Sequence, residues 1–485
     1  MSSRSHFSIT PRLLAERAFS RTAGAPLVVG NRVDLLIDAE AHFDAWLDAI
    51  AAAERQILLE NYIVRDDRVG RAFRDALVER ARAGVRVCVI RDWLGCLGLS
   101  RRAFWKPLLE AGGEARVHGP PRLLRPLTFA SRDHRKMLAV DDTVGFLSGV
   151  CISAQWLGHP ERRVAPWRDT GVALRGPVLA DLQQSFADSW AGLGPPLPDA
   201  AVADPQTLQP AGDIALRLIA TQPNTGGVYR LEQLIAAMAR HTLWLTDAYF
   251  VGVAPYVQAL ASAARDGVDV RLLVPGSSDI PMVAGMSRAG YRPLLEAGVR
   301  VFEWNGSMLH AKTAVADGQW ARVGSSNLNL ASWLGNRELD VAIEDAGFAA
   351  QMQATYEKDL AHATEVVLAP RRYRRGTRVH GGRHPGRHAH GRGSSGRAAA
   401  GALRLANTVG AALTDRRVLG NTESTPLLAG ALLLMVLGLL TVYWPAVLGL
   451  PMAAIVLWTA LSLGARWWVL RRRSRDTDAT QDRSR

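Results

Sequence analysis

Two stretches of the chain carry the same reactive spacing, His-x-Lys-x-x-x-x-Asp, first as His134, Lys136 and Asp141 and again as His310, Lys312 and Asp317. Only four lysines and 12 histidines occur among 485 residues, so one chance match is rare and a second in the matching place of a repeat far rarer. His and Lys two positions apart on a strand project from the same face. One such pair does little chemistry alone. Two pairs facing each other across a gap suit an anionic tetrahedral centre. One imidazole attacks phosphorus, the other protonates the leaving oxygen, and the ammonium groups neutralise the non-bridging oxygens. The chain otherwise uses arginine for positive charge, so lysine at 136 and 312 reads as a need for a compact ammonium.

Small-residue turns follow each motif, with Ser148 and Gly149 in the first copy and Gly324, Ser325, Ser326 and Asn327 in the second. Such turns can aim hydroxyl, amide and backbone donors at an anion. A carboxylate comes later in each copy: Asp169 in Trp167-Arg168-Asp169-Thr170 and Glu338 in Asn336-Arg337-Glu338. Either can hold a histidine by its second ring nitrogen. No carboxylate cluster with metal-ligand spacing accompanies the motifs, so the chemistry expected is metal-independent attack on a phosphodiester, with no cofactor.

The elements that must position these groups alternate between strand-like and helix-like patterns, as in strand-like 57–63, helix-like 70–83 and strand-like 85–90. That order predicts an α/β fold. The pattern also repeats. Leu59-Glu60-Asn61-Tyr62 leads to Ala83-Gly84-Val85, and Thr246-Asp247-Ala248-Tyr249 leads to Asp266-Gly267-Val268; Pro107-Leu-Leu-Glu-Ala-Gly112 recurs letter for letter at 293–298. A duplicated unit accounts for these markers in matching order. The boundaries expected are a lead-in over 1–29, a first lobe over 30–193, a Pro-rich linker over 194–212 and a second lobe over 213–368. The lead-in has no continuous apolar run and reads as a solvated or loosely packed segment.

Composition bounds the rest. At 48% hydrophobic the chain can fill two proper cores. Cys88, Cys96 and Cys151 are too few and too irregular for a disulfide framework or a Cys-rich zinc module, and Cys151 reads as packing. The net charge of +13 is local: from Arg371 onward there are 19 arginines and five acids, leaving 39 basic and 40 acidic side chains in 1–370. A near-neutral body argues against a nucleic-acid-coating core, whereas a basic tail fits an anionic membrane surface. Residues 369–425 form an Arg/His/Gly-rich linker too polar to bury a core. Leu427–Trp444 and Val447–Ala465 are uncharged runs, each about long enough to span the roughly 30 Å hydrocarbon layer as a helix. They predict a transmembrane helical hairpin over 426–470, with arginines on both flanks placing both ends, and the 471–485 tail, in the cytoplasm.

With its paired motifs, the Gly324-Ser325-Ser326-Asn327 turn and Glu338, the chain resembles the phospholipase D superfamily. Leu59-Glu60-Asn61-Tyr62, Asp92, Trp167-Arg168-Asp169-Thr170 and Asp247-Ala248-Tyr249-Phe250 look like its bacterial cardiolipin synthase branch, over roughly residues 30 to 368. The resemblance implies duplicated phospholipase D-like α/β/α sandwich lobes related by a pseudo-twofold axis, with one active site between them. It implies transfer of a phosphatidyl group between phospholipids through a phosphohistidine. His134 would be the nucleophile and His310 the general acid. Lys136, Lys312, Ser325 and Asn327 would bind phosphate, Asp169 and Glu338 would orient imidazoles, Asp141 and Asp317 would complete the catalytic motifs, and Ser148 and Gly149 would line the first substrate turn. Partners would be a bilayer and its phospholipids, phosphatidylglycerol or phosphatidylethanolamine as donor, with no nucleic acid. The expected location is the bacterial cytoplasmic (inner) membrane, catalytic body on the cytoplasmic side. Two departures stand out: Cys151 occupies the place where the family's first turn usually has Asn, and the hairpin is C-terminal where the branch often carries N-terminal membrane segments. The alternative is a hydrolase of the phospholipase D type, or a nuclease of the same superfamily.

Overall fold

The computed structural model describes residues 11–121 and 131–368 and, beyond them, Met435 alone. The first half contributes strands β1 (Val28–Ile37), β2 (Gln56–Asn61), β3 (Arg86–Asp92), β4 (Glu114–His118), β5 (Lys136–Val140), β6 (Val144–Ser148) and β7 (Thr170–Arg175). The second contributes β8 (Ile214–Thr221), β9 (Thr242–Thr246), β10 (Asp269–Pro275), β11 (Arg300–Trp304), β12 (Thr313–Ala316), β13 (Trp320–Gly324), β14 (Glu338–Glu344) and β15 (Ala363–Val366). Outward from β1 the order is β7, β6, β5, β2, β3, β4, and outward from β8 it is β14, β13, β12, β9, β10, β11, β15. The order is therefore mirrored about the seam, apart from the added β15. The seam itself is a hydrogen-bonded pair: β1 and β8 run antiparallel, with Val28 opposite Leu216 and Asn31 opposite Ile214. The repeat seen in the sequence is thus a repeat of topology, joined into one 15-stranded sheet among the described residues.

Strand chemistry explains the layers. Every residue of β2 is buried, as expected for a strand covered on both faces. Ile57 and Leu59 point into a core beneath helices Asp38–Ala51, Arg68–Arg82 and Arg102–Glu110, while Leu58 between them points into another core. That second core is common to both halves. It takes Leu58, Ile90, Met137 and Leu174 with helix Val178–Ala191 from the first, and Trp244, Leu273, Val323 and Leu339 with helix Ala346–Leu360 from the second. A third core lies under the remaining helices of the second lobe.

The aspartates of the two motifs do not join the catalytic groups, which corrects their expected role. Asp141 ends β5 in a left-handed turn (φ 49°), and Asp317 ends β12 in the same way (φ 51°), a conformation that aspartate adopts more readily than most residues. The Asp141 carboxylate accepts the backbone N–H groups of Glu54 (2.9 Å), Arg55 (2.8 Å) and Gln56 (2.8 Å). Asp317 accepts those of Arg240 (2.9 Å), His241 (2.8 Å) and Thr242 (2.9 Å). Each therefore locks the start of β2 or β9, about 20 Å along the strand from its own histidine. The constant spacing is that of a strand with a reactive end and a structural end.

The lead-in also differs from expectation. Helix Pro11–Ala23 packs on the second lobe, where Ala23 and Ala25 join its core and Arg230 Nε donates to Thr22 O (3.1 Å). Phe19 packs against the same core, its ring 5.6 Å from the Arg217 guanidinium, but the segment has no continuous apolar run to announce it. The C-terminal hairpin expected over 426–470 lies outside the described residues, as do the linker from 369 and the basic tail. Among those described, no helix is long and apolar enough to cross a membrane.

Asp141→Ala should cost about 2–3 kcal/mol in chemical denaturation, because three N–H groups lose their acceptor at a buried turn, while the more exposed Asp317→Ala should cost less.

Candidate active site

β5 and β12 start on opposite sides of one cleft, and what closes the cleft is an exchange of carboxylates. His134 Nδ1 lies 2.8 Å from Glu338 Oε2, and His310 Nδ1 lies 2.7 Å from Asp169 Oδ2. Each imidazole is thus held by the carboxylate of the other lobe. Backbone bridges enforce the exchange. His134 N donates to Arg337 O (2.9 Å), and His310 N to Arg168 O (2.7 Å), so the residue before each carboxylate is tied to the histidine it serves.

Side chains behind the carboxylates differ between the lobes in a compensating way. Ser325 Oγ donates to Glu338 Oε2 (2.6 Å) and accepts from Leu339 N (2.9 Å). At the equivalent place in the first lobe stands Gly149, where a Cβ would lie 2.2 Å from Asp169 Oδ1. Glutamate pairs with serine and the shorter aspartate with glycine. Asp169 also accepts Trp156 Nε1 (2.9 Å) and Thr170 N (2.9 Å). Ser148 Oγ accepts Val150 N (3.0 Å), shaping the first turn.

Lys136 and Lys312 are buried and each donates Nζ to the carbonyl of its own motif histidine. Beside each lysine is a tyrosine that the sequence showed only as a repeat and family marker. The Tyr62 ring lies 4.9 Å from the His134 ring and 5.1 Å from Lys136 Nζ; Tyr249 lies 5.8 Å from the His310 ring and 5.7 Å from Lys312 Nζ. His310 has two further aromatic neighbours, Trp156 at 5.3 Å and Trp167 at 5.7 Å, and its side chain is 5% exposed against 12% for His134. Asn327 is buried with its Oδ1 lacking a hydrogen-bond partner among the described residues. Asp247 accepts Tyr249 N (3.0 Å) and Leu328 N (2.8 Å), tying β9 to the turn that carries Asn327. These aromatic and acidic neighbours lay in motifs whose reactive letters were not the ones the spacing singled out.

Electrostatics fix the protonation pattern. Burial holds the His310 imidazole down at about 3, with Lys312 pushing the same way against Asp169. Burial lowers His134 too, against the pull of Glu338. Burial alone would raise the carboxylates, yet His310 and Lys312 hold Asp169 below its usual range, and His134 and Lys136 do so for Glu338. Both imidazoles are therefore neutral, donate Nδ1–H to an ionised carboxylate and keep a lone pair on Nε2. Burial lowers Lys136, and it lowers Lys312 to about 8 and raises nearby Asp247 to about 7. Cys151, buried and pushed up to about 11 by burial, remains a thiol that packs beside Lys136. Among the described residues, no group of His, Cys, Asp or Glu could hold a metal ion. The arrangement offers two imidazole lone pairs and two ammonium groups to one anionic centre.

The chain is similar to known proteins in sequence and in fold. Residues 232–360 match a family model described as cardiolipin synthase, PLD-like domain. Cardiolipin synthase A of Pseudomonas aeruginosa strain LESB58 is 36% identical over 366 residues, 73% of this chain and 72% of that protein. Cardiolipin synthase A of Pseudomonas putida strain F1 is 33% identical over 361 residues, 73% of each. Among solved structures, the phosphatidylserine synthase of Haemophilus influenzae Rd KW20 has the same fold, with a TM-score of 0.58 and 14% identity over 73% of this chain and 92% of that one.

Deprotonation of Lys312 near pH 8 removes positive charge from the cleft. Tungstate binding followed by calorimetry should weaken as Asp247 gains its charge near pH 7, and further above pH 8, by up to about tenfold per unit, as Lys312 loses its own. Lys312→Met should bind weakly throughout and lose that alkaline dependence.

Proposed function

The chain belongs to the cardiolipin synthase family, and from that premise we propose that it transfers a phosphatidyl group from one phospholipid to the alcohol of another through a phosphohistidine. The observation that supports the reading is the carboxylate exchange, in which each lobe's carboxylate holds the other lobe's histidine; two imidazoles so held, with two buried lysines, would suit a single phosphate.

His134 Nε2 attacks phosphorus, and the bond from phosphorus to the headgroup oxygen breaks. His310 Nε2 gives that oxygen its proton. Because burial keeps His310 neutral in the free protein, it takes up this proton with the anionic phosphodiester, whose charge favours the imidazolium. Asp169 steadies the imidazolium and Glu338 the cation that forms on phosphorylated His134. Lys136 and Lys312 neutralise the non-bridging oxygens, and Ser325 acts through Glu338. Neutral His310 then takes the proton of the acceptor hydroxyl as its oxygen attacks phosphorus, and the bond to His134 breaks. With phosphatidylglycerol as donor and acceptor, the products are a four-chain lipid and free glycerol.

The hairpin over 426–470 serves as the anchor that holds this catalytic body at the cytoplasmic face of the bacterial inner membrane, where donor and acceptor are concentrated together. A lipid-filled cleft also disfavours water as the acceptor.

Full-length protein given phosphatidylglycerol should form the four-chain lipid and release glycerol, read by mass spectrometry. Phosphatidate without the four-chain product would make it a hydrolase instead. His134→Ala should abolish turnover of every donor. His310→Ala should lose about 10²–10⁴-fold on phosphatidylglycerol but far less on a phosphatidyl p-nitrophenol, whose leaving group needs no proton. The reverse pattern would exchange the two roles.

A further inference from the structure

A small hairpin with exposed side chains rises from the indoles that surround His310. Residues 159–166 are all exposed, a run of eight bounded by the buried Trp156 and Trp167. The hairpin is ordered by its own backbone: His159 N donates to Val164 O (2.8 Å) and Val164 N to His159 O (3.1 Å). Gly158 sits at φ 70°, where a Cβ would lie 2.5 Å from Val164 O, and Arg163 takes a left-handed φ of 55° at the tip. A loop pinned this firmly has a fixed shape to present. It presents Arg162 and Arg163, neither in an ion pair among the described residues, next to Val164, which is 40% exposed. Glu161 is turned to His159, with 3.5 Å between Oε1 and Nδ1.

Its base is part of the catalytic surround. Trp167 N donates to Trp156 O (3.0 Å), and the two indoles stand 4.6 Å apart while both face His310. Ser307 Oγ of the other lobe donates to Pro166 O (2.7 Å), tying the base of the hairpin to that lobe. From the opposite lobe, Tyr249 beside His310 donates to Asp279 Oδ1 (2.7 Å), three residues before Met282, which is 40% exposed. Exposed Val164 and Met282, and two guanidinium groups in no ion pair among the described residues, thus lie on the segments that lead to the aromatic neighbours of His310.

We propose that the Gly158–Pro166 hairpin docks on an anionic lipid surface, Arg162 and Arg163 taking lipid phosphates and Val164 entering the headgroup boundary. Guanidinium forks suit phosphate oxygens, and an adjacent apolar side chain gains by leaving water. Docking at this point brings the bilayer to the His310 side of the cleft, so a lipid can reach the phosphate position without leaving the interface. The proposal rests on the phosphatidyl-transfer reading and names the surface through which that site meets its substrate.

The test uses the full-length chain reconstituted into bilayers of phosphatidylglycerol or of phosphatidylcholine. Cys88, Cys96 and Cys151 are all buried, so Val164→Cys can be labelled alone with an environment-sensitive fluorophore. The label should shift to the blue in phosphatidylglycerol bilayers, should return toward the aqueous spectrum with added salt, and should stay aqueous in phosphatidylcholine. Arg162→Glu with Arg163→Glu should abolish the shift and lower turnover of bilayer phosphatidylglycerol about tenfold or more, while turnover of a dispersed short-chain phosphatidylglycerol stays within about twofold. An unshifted label in phosphatidylglycerol bilayers, an equal shift in both lipids, or an equal loss on dispersed and bilayer substrate would overturn the docking role. Absence of turnover by the unaltered protein on dispersed substrate would instead overturn the transfer reading.

Discussion

Everything at the catalytic cleft depends on two crossed pairs, His134 with Glu338 and His310 with Asp169. A buried carboxylate is costly unless it is paired, and here each partner lies in the other half of the chain. Neither lobe alone can hold its own histidine in a reactive tautomer. The antiparallel β1 and β8 seam, the bridges from Arg168 to Leu309 and from Asp133 to Arg337, and the shared inner core all keep the halves in that relation. Duplication thus yields one site in place of two.

The two halves have diverged while keeping this constraint. Aspartate with glycine on one side matches glutamate with serine on the other, so both carboxylates reach across without a clash. Cys151 and Asn327 differ more in consequence. A thiol packs beside Lys136, whereas an amide oxygen lies buried in the second lobe, where Asp247 ties its turn to β9. The aromatic surround is also uneven: Trp156, Trp167 and Tyr249 enclose His310, and Tyr62 alone of these tyrosines and tryptophans stands by His134. Unequal surroundings suit unequal tasks on a single phosphorus.

Much of this was legible in the sequence because two rare residue types recurred at a fixed spacing inside a repeat. The α/β class, the duplication and the convergence of His134, Lys136, His310, Lys312, Asp169 and Glu338 followed from that pattern and from the family resemblance. What did not follow depends on three dimensions. Spacing cannot say which carboxylate serves which histidine, and the exchange appears only once the seam is formed. Nor can it separate a reactive aspartate from one that brackets a strand: Asp141 and Asp317 share the rhythm of the motif because β5 and β12 have that length. Tyr62, Tyr249 and Trp167 stood out only as members of repeat and family motifs and Trp156 drew no expectation; their places beside the imidazoles appear only in the fold. The docking of helix 11–23 on the second lobe was not legible because its stretch of sequence has no continuous apolar run.

The most direct measurement is a crystal structure of the full-length protein with bound orthovanadate. The expected result is one vanadium between the lobes with a single histidine Nε2 as apical ligand. The opposite apical oxygen should lie within hydrogen-bond reach of the other Nε2, Lys136 and Lys312 should meet the equatorial oxygens, and both crossed pairs should be intact. Vanadate held by the groups of one lobe alone, with the second imidazole out of reach or paired to a carboxylate of its own half, would contradict it.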